Sequence, residues 1–239
     1  MRSLTFGTIL FAFLAGNGLA GAPNRMVWAW ERAEDLRFLN PDRTGVAFLS
    51  ATVWLDHAHV RVEPRRQPVY VPPHTYMMAV VRIQTSEPTL SEAQLDTTAA
   101  ELVHSAHRAG VSALQIDFDA RASERDFYRK LIGRIRLKVA QLSITALASW
   151  CLDDPWIASL PVDEAVPMLF RMGPDDVAVR RQLANGRRFA VKACSTSAGI
   201  SNDEALPTVP PIQRLYVFSS TRWTRAGYDA LSWHIRSLP

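Results

Sequence analysis

The sequence predicts an α/β protein, a small (β/α)8 barrel of the TIM type, and three observations carry that prediction. Eight short apolar runs recur along the chain. Stretches with helical periodicity separate most of them. The runs are apolar almost throughout, as parallel strands buried on both faces are. A β-hairpin excursion is predicted to replace the helix after the second strand. The alternative is a doubly wound open sheet. The Gly-rich phosphate loop that would favour it, GxGxxG or GxxxxGK followed by Ser or Thr, does not occur.

The first predicted strand is Met26–Glu31 (MVWAWE), followed by a short charged segment, Arg32–Leu39. Gly45–Ser50 is the second. Beyond it Thr52–Leu55, Val60–Glu63 and Gln67–Val71 alternate with period two, punctuated by Pro64, Pro68, Pro72 and Pro73. That is the hairpin pattern. Met77–Gln84 is the third strand. Ser91 opens a helix: it forms a capping box with Gln94, Leu90 and Leu95 are spaced as a hydrophobic staple, and Gly110 follows the end. Ser112–Asp119 (SALQIDFD) is the fourth strand. Ser123 is placed to cap the next helix, whose Phe127, Leu131 and Ile135 share one face. Leu142–Trp150 and Ala165–Met172 are the fifth and sixth strands. Pro174-Asp175-Asp176 opens another helix, stopped at Asn185-Gly186. Phe189–Cys194 and Arg214–Ser219 complete the eight strands, and Thr224 caps a last helix reaching about Ser237.

The 239 residues are 48% hydrophobic and 21% charged. This composition excludes a disordered, collagen-like or multi-span membrane protein. All but three of the 27 basic residues are arginine, interleaved with 23 acids. A nucleic-acid footprint is clustered, so the pI of 9.4 does not indicate one. Arg2, the apolar stretch Leu4–Ala15 and the small residues Gly16–Ala20 read as a signal peptide, residues 1–20. Cutting after Ala22 instead would place Pro23 just past the scissile bond. The alternative is an uncleaved N-terminal anchor. The expectation is one barrel domain over 23–239, monomeric, periplasmic or secreted, with no stable membrane span once the signal is removed. Cys151 and Cys194 are a candidate disulfide in an exported chain; spacing alone does not decide it. No cofactor or metal is expected, because His57-Ala58-His59 lacks a third ligand.

The chemistry of such a barrel sits at the C-terminal ends of its strands. On the fourth strand Leu114, Ile116 and Phe118 share one face, and Gln115, Asp117 and Asp119 the other. The helix-covered outer face is dry, so the polar set is expected to point inward. The same parity selects Arg82, Arg171 and Lys192, with Glu31 at the end of the first strand. Asp117 and Asp119 are thus the candidate catalytic pair. The nearby cations are expected to favour their ionised forms. Trp30, Trp150, Trp156 and Trp223 fall at strand C-termini, where indoles can stack on sugar rings. Trp150–Trp156 is the most site-like loop. Asp203 and Glu204 lie in the connection after the seventh strand and could supply a further acid. Asp163 and Glu164 precede the sixth strand, at the opposite end of the barrel, and read as structural.

The blocks LQIDFDARASERDFYRKLI, LSITALASWC and LPVDEAVPMLFRMG resemble a bacterial domain-of-unknown-function family, number 3142. A more distant similarity is to the chitinase-like (β/α)8 glycoside hydrolases, whose fourth strand carries DxxDxDxE ending in the catalytic Glu. With Asp117 and Asp119 on the last two Asp of that motif, Arg121 stands at the acid's position. Shifted by two residues, Asp119 stands there instead. Met168-Leu169-Phe170-Arg171 keeps the Met and an aromatic of the sixth-strand Met-x-Tyr-Asp and replaces its Asp with Arg. Trp223 falls where these enzymes place a floor tryptophan. The resemblance implies a carbohydrate-active barrel acting on a saccharide with an anionic or amidated group. The alternative is a non-catalytic barrel, lacking the catalytic Glu, that binds a saccharide or cell-envelope polymer.

Overall fold

The computed structural model describes residues 18–57, 59–86 and 90–236. The apolar segment of the expected signal peptide lies outside them. In chain order the strands are β1 (Arg25–Ala29), β2 (Glu34–Asp35), β3 (Thr44–Asp56), β4 (His59–Pro64), β5 (Val69–Tyr70), β6 (Met77–Thr85), β7 (Ala113–Asp117), β8 (Leu142–Leu147), β9 (Glu164–Met168), β10 (Ser197–Ser201) and β11 (Arg214–Phe218). Eight of them pair in parallel, in the order β1-β3-β6-β7-β8-β9-β10-β11. Because β1 pairs with both β11 and β3, the sheet closes into a barrel. Helices α1 (Glu92–Ala106), α2 (Arg125–Ile135), α3 (Ala148–Leu152), α4 (Asp176–Ala184) and α5 (Arg225–Arg236) follow β6, β7, β8, β9 and β11. Among the described residues the connections after β1, β3 and β10 carry no α-helix.

Strand β3 runs past the barrel rim and pairs antiparallel with β4. Its register against β6 shifts between Leu49 and Ala51. Ser50, at that irregularity, turns its hydroxyl to Ser105 (3.0 Å) and receives Arg108 Nη1 (2.9 Å). The sequence alternation breaks at this bulge, so one strand reads as two. The capping box at Ser91 is present, and Gly110 has φ +80°. Ser123 does not cap α2; a 3-10 turn, Ala122–Glu124, leads into it.

The seventh strand is placed differently. Lys192–Cys194 forms a 3-10 turn, and β10 is Ser197–Ser201. Two ties hold the 189–194 segment away from the sheet. Ala190 N–H donates to Cys151 O (2.8 Å), and Cys151 and Cys194 form a disulfide. The small residues of β10 are dictated from inside the barrel: a Cβ at Gly199 would lie 2.7 Å from Trp28 Cη2.

Apolar side chains fill two layers. Leu114, Ile116 and Phe118 face the helices and pack with Tyr128 and Leu131. Met26, Trp28, Met78, Val80, Val166 and Tyr216 fill the barrel interior. A polar ladder runs down that interior. Trp28 Nε1 donates to Gln115 Oε1 (2.8 Å), Gln115 Nε2 to Ser143 Oγ (3.1 Å), and Ser143 Oγ to Glu164 Oε2 (3.2 Å). At its foot Glu164 pairs with Arg214 and accepts from Tyr216 Oη (2.6 Å). Arg214 also donates to the carbonyls of Pro23 (3.0 Å) and Ala22 (3.3 Å), so the N-terminal segment covers the barrel floor. Beside it the Asp163 carboxylate takes both terminal nitrogens of Arg136 at 2.9 Å. No described helix is long and apolar enough to cross a membrane.

Candidate active site

Two residues past each other along β7, the inward parity delivers Gln115 to the interior ladder and Asp117 to the mouth. There a cavity of about 180 Å3 opens. Trp28, Trp30, Phe170 and Phe218 form its aromatic walls, with Met168 and Met172. Phe170 and Phe218 stack at 5.4 Å, and Trp28 lies 6.1 Å from Phe170. Its polar groups are Asp117, Asp119, Thr145, Arg82, Arg171 and Asp175. Pockets of this make, apolar with a few converging polar groups, are the usual form of a small-ligand site.

Asp117 is 9% exposed. Its Oδ1 accepts from Thr145 Oγ1 at 2.8 Å, and Arg82 Nε stands 3.8 Å from Oδ2. Burial pushes its pKa up, against the opposing pull of Arg82 and Thr145. Asp119 lies one residue pair further on, just beyond the strand. Solvent reaches it, but as part of a concave wall that strips much of its hydration. Desolvation, reinforced by the Asp117 charge and opposed by Arg82, raises its pKa to about 6. This corrects the sequence expectation that the cations would hold both carboxylates ionised: at 3.8 Å and half exposed, Arg82 offsets less than burial costs. A carboxyl poised near neutrality in a cleft is able to exchange protons with a ligand.

The cations arrive by different routes. Arg82 projects from β6 and lies 5.9 Å from the Trp30 ring. Arg171 follows β9 rather than sitting on it, at φ +51°. Its backbone N–H donates to Glu204 Oε1 (3.1 Å), its guanidinium covers Phe218 at 4.8 Å, and Nη2 stands 3.6 Å from Asp203. Asp203 and Glu204 therefore brace Arg171 instead of lining the cavity. The Ser201 and Ser220 hydroxyls hold the Asp203 pKa below the usual carboxylate range.

Four further sequence candidates also lie outside the cavity lining. Lys192 is exposed on its 3-10 turn, because the segment was displaced from the sheet. Glu31 lies beyond the end of β1 and accepts from the N–H groups of Arg66 and Gln67, both at 3.1 Å. Trp223 is buried in the outer layer, its Nε1 donating to Trp28 O (2.9 Å). Trp150 is buried in α3, edge-on to Trp156 at 5.0 Å. That loop packs on α2 through Arg125, which lies over Trp156 (5.1 Å) and pairs with Asp154. Conversely, the sequence reading passed over Trp28, Phe170, Phe218, Thr145 and Asp175. Trp28 shares the parity of Trp30 and Phe218 ends an apolar strand, so both were legible. Phe170 was not, because the parity that selects Arg171 turns its neighbour outward, whereas β9 stops at Met168 and the chain beyond it brings both side chains to the cavity. Asp175 was read only as a helix start. No group of three or more metal-ligating side chains is found among the described residues.

No curated protein and no solved structure matches the chain. Residues 74–170, which include β6 to β9 and with them Arg82, Asp117, Asp119 and Thr145, match the family model described as a domain of unknown function (DUF3142), in support of the family resemblance read from the sequence.

Proposed function

We propose that the mouth cavity is the active site of an exported glycosidase acting on a saccharide with an anionic or amidated group. One observation carries the reading: Asp119, with its pKa raised to about 6, lies beside Asp117 in a cavity walled by Trp28, Trp30, Phe170 and Phe218. The aromatic faces suit the apolar faces of a sugar ring. Asp119 is the general acid and gives its proton to the glycosidic oxygen as the C1–O bond breaks. Water adds to C1, and its proton passes to the Asp175 carboxylate. Burial in the cavity wall, reinforced by the neighbouring Asp117, holds the proton on Asp119. The apolar N-terminal segment and the Cys151–Cys194 bridge support export, since disulfides persist in oxidising compartments.

The test compares wild type and Asp119→Asn on oligosaccharides from envelope and exopolysaccharides, measuring turnover and binding. Wild type is expected to turn over at least one, with kcat falling as pH rises through about 6. Asp119→Asn is expected to bind it with turnover reduced by about 10²-fold or more. Binding by both proteins with turnover by neither makes the barrel a saccharide-binding protein. Absence of binding and turnover overturns both readings.

A further inference from the structure

A second cavity, of about 220 Å3, adjoins the first and shares Arg82, Asp117 and Asp119 with it. Its remaining polar wall is Gln84, Thr85 and Arg121. Trp28, Trp30, Phe170 and Phe218 all stay on the other side of the shared wall. The two cavities therefore offer different chemistry to one ligand: aromatic walls on one side, and on the other the guanidinium groups of Arg82 and Arg121 set opposite the two shared carboxylates.

The donors of this second cavity are only partly used. Arg121 Nη2 donates to Thr85 O (3.1 Å), and its Nε stands 3.8 Å from Glu124. Glu124 is already engaged, by Thr85 Oγ1 (2.5 Å) and the Arg121 backbone N–H (2.7 Å). With its amide oxygen turned to Arg82, Gln84 accepts from Nε (2.5 Å) and Nη2 (2.8 Å). Nη1 of each arginine makes no hydrogen bond among the described residues. Both guanidinium side chains are about half exposed, 42% for Arg82 and 53% for Arg121. Two planar forks with donors in reserve beside one cavity match a carboxylate. Sugar hydroxyls would be served by Gln84 and Thr85 alone.

The geometry points to a second saccharide subsite here, in which Arg82 and Arg121 hold the carboxylate of an acidic sugar while the neighbouring ring occupies the aromatic cavity. The inference rests on the glycosidase reading, since the bond joining the two rings then lies over Asp119. Arg121 is a binding residue for the charged substituent and takes no part in the proton transfers.

Wild type and Arg121→Gln are titrated with oligogalacturonates and oligoglucuronates, each beside its carboxyl-reduced neutral equivalent, and turnover is followed on the same set. Wild type is expected to bind the acidic members at least about tenfold more tightly, the scale of one charge-assisted contact. Arg121→Gln is expected to lose that preference, bind the neutral members as wild type does, and keep the wild-type melting temperature. Should Arg121→Gln melt early, Arg121→Lys replaces it; it keeps the charge without the fork, and part of the preference is expected to remain. Equal wild-type affinity for both members of each pair overturns the subsite, and so does a preference that survives Arg121→Gln. Asp119-dependent turnover confined to neutral oligomers also overturns it, while leaving the glycosidase reading in place. No binding and no turnover of any oligomer overturns both.

Discussion

Each end of this barrel buries a carboxylate facing an arginine, and the two ends treat it differently. At the floor, Glu164 is fully buried and meets Arg214, the Tyr216 hydroxyl and the Ser143 hydroxyl. Arg214 in turn spends its other donors on backbone carbonyls. At the mouth, Asp117 has Thr145 and an arginine 3.8 Å away, and Asp119 makes no hydrogen bond among the described residues. The same residue types serve two purposes. A closed network holds its charges in place and leaves nothing for a ligand. An open one leaves a carboxyl whose charge state is easily changed.

Removing one partner from the closed network should have the largest effect. Glu164→Ala leaves Arg214 buried and unpaired, which costs about 3–5 kcal/mol. Urea denaturation checks it. A loss below about 1 kcal/mol would mean that the floor is no better satisfied than the mouth, and the contrast would break. The double variant Glu164→Met/Arg214→Met sharpens it, because removing both charges together is expected to cost much less than removing one.

The disulfide comes next. Cys151 and Cys194 are 43 residues apart in sequence, and their bridge ties α3, whose Ala148 lines the mouth, to the turn before β10. Cys151→Ser/Cys194→Ser is expected to lose about 2–4 kcal/mol, read from the same denaturation curves. A variant as stable as wild type would show that the interior and floor networks alone hold this side of the mouth.

The floor and the mouth also differ in how far the sequence discloses them. Inward parity on β7 placed Asp117 correctly because a strand has period two and its outer face is dry. Arg82 followed from the same rule. The rule failed for Lys192, whose apolar neighbours imitate a strand while the disulfide and the Ala190–Cys151 hydrogen bond hold them outside the sheet. The true strand, SAGIS, hides because Trp28 already fills the space its side chains would occupy. Trp150 and Trp223 were misplaced for a related reason. An indole at a strand end reads alike whether it faces the cavity or the helix layer, and only packing with Trp156 or a hydrogen bond to Trp28 O settles it. The charge state of Asp119 was beyond the sequence as well, since it turns on how burial weighs against one arginine. Arg214 needed its partner across the barrel, and sequence spacing does not report which strands of a closed sheet face each other.

The smallest expected effect on stability is that of Asp119→Asn, and it distinguishes the two ends by sign. In the unfolded chain this carboxyl titrates near its ordinary 3.8, and in the folded protein near 6. Below about pH 4 the proton is bound in both states, and the group adds no cost. As pH rises from about 4 through 6, the unfolded chain loses the proton first, so folding stability falls; above about 6 the penalty is constant. Asparagine carries no charge at any of these pH values. Asp119→Asn should therefore melt close to wild type at pH 4 and above it at pH 8, while turnover is lost. The gain is modest because solvent reaches the group and screens it. Glu164→Ala, by contrast, is expected to destabilise at both pH values. A melting temperature for Asp119→Asn at or below that of wild type at pH 8 would mean that Asp119 is as well satisfied as Glu164, and the distinction between a closed floor and an open mouth would fail at the residue on which the proposed chemistry depends.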